Sequence, residues 1–119
     1  MKTILAFKRG AVVHPGLNCT VRKGRKWALK VTAGMAVDLV TEAAEARQPL
    51  ENRTFGEATI VSNQFIENLD SVFDLPQIAL RFNHAPGART YEGMDAAMVA
   101  AYGEGWWLDG ATLVFFWVS

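Results

Sequence analysis

The chain predicts an α+β domain built on a mixed, barrel-like sheet, and the order of its patterns carries that expectation. Stretches with the two-residue alternation or the β-branched enrichment of strands dominate up to Ile66, whereas the three-to-four-residue spacing of helices appears only afterwards. The end then returns to a continuous apolar run, Ala111–Val118, which reads as a central strand buried on both faces.

Taken in order, Thr3–Lys8 is a short first strand, His14-Pro15-Gly16 a turn, and Cys19–Arg22 a second extended piece. Trp27–Val31 alternates apolar and polar side chains, Thr32-Ala33-Gly34 turns, and Ala36–Thr41 alternates again, which predicts a hairpin. Glu42–Arg53 is polar and alanine-rich with Pro49 inside it, suiting a helical turn followed by a loop. Phe55–Ile66 is a long strand, with Thr59, Val61 and Phe65 on one phase. Leu69, Val72 and Phe73 form an apolar turn, and Asp74 before Leu75-Pro76 is placed to cap a helix, because proline is tolerated in a first turn. Thr90 caps a stronger helix whose one face carries Tyr91, Met94 and Met98, closed by Gly103 and Gly105.

The 119 residues are about half apolar and one fifth charged, without repeats or a dividing linker, so residues 1–119 read as one domain able to bury a real core. The single Cys19 rules out an internal disulfide and cysteine-rich zinc motifs, and suits a reducing, cytoplasmic setting. No secretory or membrane-spanning stretch is apparent, and no membrane partner is expected. His14 and His84 stand far apart with Cys19 as the one soft companion, so neither a metal nor another cofactor is expected.

A formal net charge of zero hides a partition: eight bases and no acid precede Asp38, and from Asp38 onward twelve acids face four bases. Such asymmetry points to an anionic partner, RNA or a nucleotide before a membrane, unless folding returns the acids to the bases. Arg22, Lys23, Arg25 and Lys26 around Trp27 are the densest polar feature, with Lys8 on the first strand. Bases interleaved with an aromatic suit phosphates and a stacked nucleobase, and equally suit a solvated turn anchored by Trp27.

Gly16-Leu17-Asn18-Cys19-Thr20-Val21-Arg22, a Gly-x-x-Val-x-Leu segment at Gly34–Leu39, Gly56–Val61 and the helix start Tyr91-Glu92-Gly93-Met94 follow one another in an order that resembles the ASCH domains, relatives of the PUA RNA-binding domains. The resemblance spans nearly the whole chain through short motifs, and it implies a small PUA-like β-barrel with helices between the later strands. Some small bacterial ASCH proteins are amidohydrolases of 4-acetylcytidine that use a Lys, a Thr and a Glu. By resemblance the Thr is Thr20 and the Glu is Glu92, while Leu17 stands where the lysine belongs.

A threonine nucleophile needs a base, for which Lys8, Lys23 and Lys26 are the nearby sources. Glu92 also has a structural explanation in the dipole at a helix start, and Cys19 beside Thr20 is a second nucleophile to weigh against a small buried hydrophobe. Three functions are therefore expected in this order: an RNA- or modified-nucleoside-binding module with a basic cleft, a hydrolase of a modified nucleoside using Thr20 and Glu92, and a small protein-binding accessory protein of a phage or mobile element.

Overall fold

A computed structural model describes residues 3–8, 10–42 and 49–119. Five strands, β1 (Thr3–Phe7), β2 (Gly16–Lys23), β3 (Ala36–Thr41), β4 (Thr54–Ile66) and β5 (Ala111–Val118), form one sheet in the order β1-β3-β4-β5-β2. Only β1 and β3 run parallel, so the sheet is mixed within an α+β domain. The long β4 pairs with β3 through Thr54–Thr59 and with β5 through Thr59–Ile66, and a register shift between Ile60 and Ser62 interrupts the pairing with β5.

The expected barrel does not close: β1 and β2 remain the two edges of an open sheet. The reason lies in how β2 uses its outer side. The Cys19 N–H donates to the Phe82 carbonyl and the Cys19 carbonyl accepts from the His84 N–H, so a segment from the helical half occupies the edge that β1 would need.

The expected hairpin is also overturned. Lys26–Lys30 is a helical turn, α1, and β3 pairs with β1 and β4 instead. A strand would turn Trp27, Leu29 and Val31 to the same side, but Leu29 is 83% exposed while Trp27 and Val31, four apart on a helix, are buried together. Ala28, Leu29 and Lys30 favour a helix as well.

Helix α2 (Leu50–Arg53) follows Pro49, so the helical turn lies at the end of the stretch expected to begin with one; residues 43–48 fall outside the described residues. A 3-10 turn at Val72–Asp74 precedes α3 (Gln77–Arg81), which Asp74 does not cap; its carboxylate instead accepts the Asp70 N–H at 2.6 Å. The fourth helix, α4 (Tyr91–Tyr102), starts as expected, with the Thr90 hydroxyl accepting the Gly93 N–H, and ends at Gly103, whose φ of +92° suits glycine. Gly93 lies so close to the Gly87 carbonyl that a Cβ there would collide with it.

Residues of β5 are buried from Ala111 to Phe116, because two cores meet across this strand. Leu113 and Phe115 pack with Met94, Met98 and Trp106 on the helical side; Val114 and Phe116 pack with Leu5, Leu39 and Trp27 on the other. The Trp106 indole N–H donates to the Asp95 carboxylate at 3.0 Å, which removes the cost of burying it. Among the described residues no helix is long and apolar enough to cross a membrane.

Candidate functional site

The gap between the sheet edges is the most distinctive place in the molecule. A cavity of about 380 Å³ opens there, with Ala6, Phe7 and Lys8 on one side, Thr20, Val21 and Arg22 on the other, and α4 as a third wall. Seven alanines, at positions 6, 11, 85, 88, 97, 100 and 101, contribute to the lining, so short side chains keep the space open. Phe7, Thr20, Asn83 and Met94 belong to the buried floor, whereas Lys8, Ala97, Ala101 and Tyr102 are exposed and define the mouth.

Arg22 bridges the edges that the backbone leaves unpaired. Strand alternation puts Thr20 and Arg22 on the same side of β2, where the guanidinium donates through Nε to the Thr20 hydroxyl at 3.0 Å and through Nη2 to the Ala6 carbonyl at 2.8 Å. It also sits over the rings of Phe7, 5.0 Å away, and Trp27, 5.1 Å away, contacts worth about 0.5–2 kcal/mol each. Burial lowers its pKa, while Tyr102 and then Glu42 oppose that shift; an arginine so placed stays charged.

His84 lines the cavity beside Asn83. Burial first, and Arg22 second, pull its pKa down to about 4 against a hydrogen bond to the Val12 backbone, so the imidazole is neutral at physiological pH. Its Nδ1 is buried without a hydrogen-bond partner. The ring meets Phe7 edge-on at 4.8 Å between centroids. Asn83 accepts the Ala85 N–H through Oδ1. Glu42 reaches the site because its own N–H extends the β1–β3 pairing to the Phe7 carbonyl at 2.8 Å.

The residues expected from sequence separate into groups. Thr20, Arg22 and Lys8 line the cavity. Trp27 is a core residue beneath Arg22, with Lys30 over its ring at 4.4 Å. Lys23 pairs with Asp109 at 3.1 Å, Arg25 lies over Phe65 at 4.7 Å, and Lys26 is exposed at the start of α1. These three are not part of the cavity lining, and the bases do not gather into one cleft around it. Glu92 is exposed in the first turn of α4 and does not line the cavity with Thr20; the carboxylate that does is Glu42. Leu17 packs against the helix-side core. Cys19 is buried, and burial pushes its thiol up to about 12, which keeps it protonated. No group of three or more metal-ligating side chains occurs among the described residues.

Sequence reasoning missed Glu42, Asn83 and His84 as site residues. Glu42 lay in an unremarkable polar stretch and Asn83-His84 in a helix breaker. What makes them functional candidates is long-range backbone pairing, of Glu42 with Phe7 and of Cys19 with residues 82–84, which local pattern does not encode. No protein-family model, curated protein or solved structure matches this chain.

Proposed function

We propose that the protein binds a nucleobase or nucleoside in the cavity between β1 and β2, as an ASCH-like, PUA-related domain whose sheet stays open at that point. One observation carries the reading: a half-buried cation, Arg22, is held beside Thr20, Asn83 and His84 in a cavity of about 380 Å³ whose remaining lining, apart from Lys8, Glu42 and Tyr102, is apolar. That combination suits a flat, partly polar ring, which buries its faces against apolar side chains and its edge against a few fixed polar groups. The open mouth leaves room for a ribose. Isothermal titration with cytidine, uridine, adenosine, guanosine and 4-acetylcytidine tests the proposal, alongside short RNAs at two salt concentrations. We expect saturable nucleoside binding that changes little with salt, since few charges line the cavity. Tight RNA binding that weakens steeply with salt would instead favour an extended phosphate-binding surface.

Hydrolysis of an acylated nucleoside is a second reading, favoured by the presence of Lys8, Thr20 and Glu42 on one cavity. A guanidinium donating to Oγ1 favours negative charge on that oxygen, as a threonine nucleophile requires. Loss of 4-acetylcytidine absorbance is the assay. Turnover abolished by Thr20→Ala and Lys8→Met but kept by Glu92→Gln supports this reading, and no turnover above background removes it.

A further inference from the structure

Resting on the nucleobase-binding reading, we propose that the cavity favours an anionic ligand, a planar ring whose edge carries a carboxylate held by Arg22 and Asn83.

Arg22 is half-buried, and among the described residues no carboxylate lies within ion-pair distance of it. Neutral partners fix its guanidinium instead. Nε is held by the Thr20 hydroxyl, Nη2 by the Ala6 carbonyl, and the planar face by the rings of Phe7 and Trp27. Three of its five N–H groups are left over, both of those on Nη1 among them. Asn83, only 4% exposed, adds a second donor to the lining. The Ala85 N–H, 2.9 Å away, identifies the amide oxygen. The other end of that side chain is therefore the NH2 group, which has no acceptor among the described residues.

Of the charged side chains that line the cavity, Lys8 and Arg22 are positive and Glu42 is negative, which leaves one positive charge in excess. A monoanion cancels it. Covering a cation that has unused N–H groups with apolar surface alone is costly, so the ligand has to bring acceptors to that point. A carboxylate supplies about four acceptor positions in the planar arrangement that a guanidinium fork matches. A neutral carbonyl accepts from the same donors and leaves the excess charge standing. The ring faces of the ligand meet Ala88, Met94 and Met98, which are buried and apolar. A nucleobase acid therefore outbinds the corresponding neutral base.

The test uses the full chain, titrated with uracil-6-carboxylate, its methyl ester and uracil, with benzoate and benzamide as probes of the anion alone. Calorimetry gives the affinities at two salt concentrations. We expect the acid to bind about 10- to 100-fold more tightly than the ester, with a preference that shrinks as salt rises. Glu42→Gln removes the opposing charge and should strengthen the acid further while leaving the ester unchanged. Arg22→Met should abolish the preference. The wild-type and Glu42→Gln titrations decide the matter even where that variant fails to fold. If acid and ester bind with equal affinity, or if Glu42→Gln weakens the acid, the anion inference falls and the nucleobase reading stands. If benzoate binds, benzamide does not, and no pyrimidine or nucleoside binds, the nucleobase reading falls and the anion inference stands. Absence of binding by every probe overturns both.

Discussion

The β4–β5 ladder and the gap between β1 and β2 are two junctions of one sheet with opposite chemistry. Along the ladder, backbone pairing runs from Thr59 to Ile66 and both faces of β5 are buried, so polar groups are satisfied by the strands themselves. At the gap, β1 and β2 share no backbone hydrogen bonds, and the Ala6 carbonyl takes its partner from the Arg22 side chain. A place where side chains replace the ladder keeps polar groups and unfilled volume that a ladder would have closed. Stability is therefore assigned to the first junction and ligand recognition to the second.

Substitutions that separate these roles sharpen the contrast. The largest effect is expected at the ladder: Phe116, fully buried, should cost about 3–5 kcal/mol when changed to Ala, read from urea unfolding. A loss below about 1 kcal/mol would show that β5 is not the stabilising centre. Next comes the titration of His84. Its folded pKa of about 4 lies below the ordinary 6.5, so the unfolded chain takes up a proton first as pH falls. Stability is thus fully present above pH 6.5 and declines towards pH 4, by about 3 kcal/mol at most. His84→Phe should flatten that limb of the pH–stability curve, and an unchanged slope would contradict the assignment.

At the helical wall, Gly93→Ala drives a Cβ into the Gly87 carbonyl and should cost about 1–3 kcal/mol. Because α4 also carries Met94 and Met98 into the cavity, ligand affinity should fall with it. A Tm equal to that of the wild type would mean that α4 shifts freely. The smallest effect belongs to the Lys23–Asp109 pair, whose side chains are 36% and 66% exposed. Lys23→Ala should change stability by less than about 0.5 kcal/mol and leave nucleoside affinity unaltered. A clear loss of affinity would bring the N-terminal bases back into the site.

How far the sequence disclosed these two junctions differs for the same reason that they differ in chemistry. The ladder was legible, because the apolar run Ala111–Val118 and the long strand ending at Ile66 are contiguous patterns. So was the capped start of α4, where Thr90 and Gly93 are three residues apart. Trp27–Val31 misled because residues four apart share a face in a helix and in a strand alike, and only the exposure of Leu29 decides between them. Thr20, Arg22 and Lys8 could be singled out as local chemistry. Their companions Glu42 and His84 could not, since the chain brings them in from 20 positions beyond Arg22 and 64 beyond Thr20 through backbone pairing. Charge segregation along the chain also failed to survive folding at one point, where Asp109 meets Lys23.

Filling the cavity without touching either core tests the division of labour most directly. Ala101 is exposed and lines the mouth, so Ala101→Leu should leave stability within about 0.5 kcal/mol of the wild type. Both proteins are titrated with the nucleoside panel while their Tm is followed. The wild type should gain Tm with at least one nucleoside, and Ala101→Leu should start from the same Tm and gain nothing. An equal gain in both proteins would place ligand binding away from the gap between β1 and β2 and contradict the account.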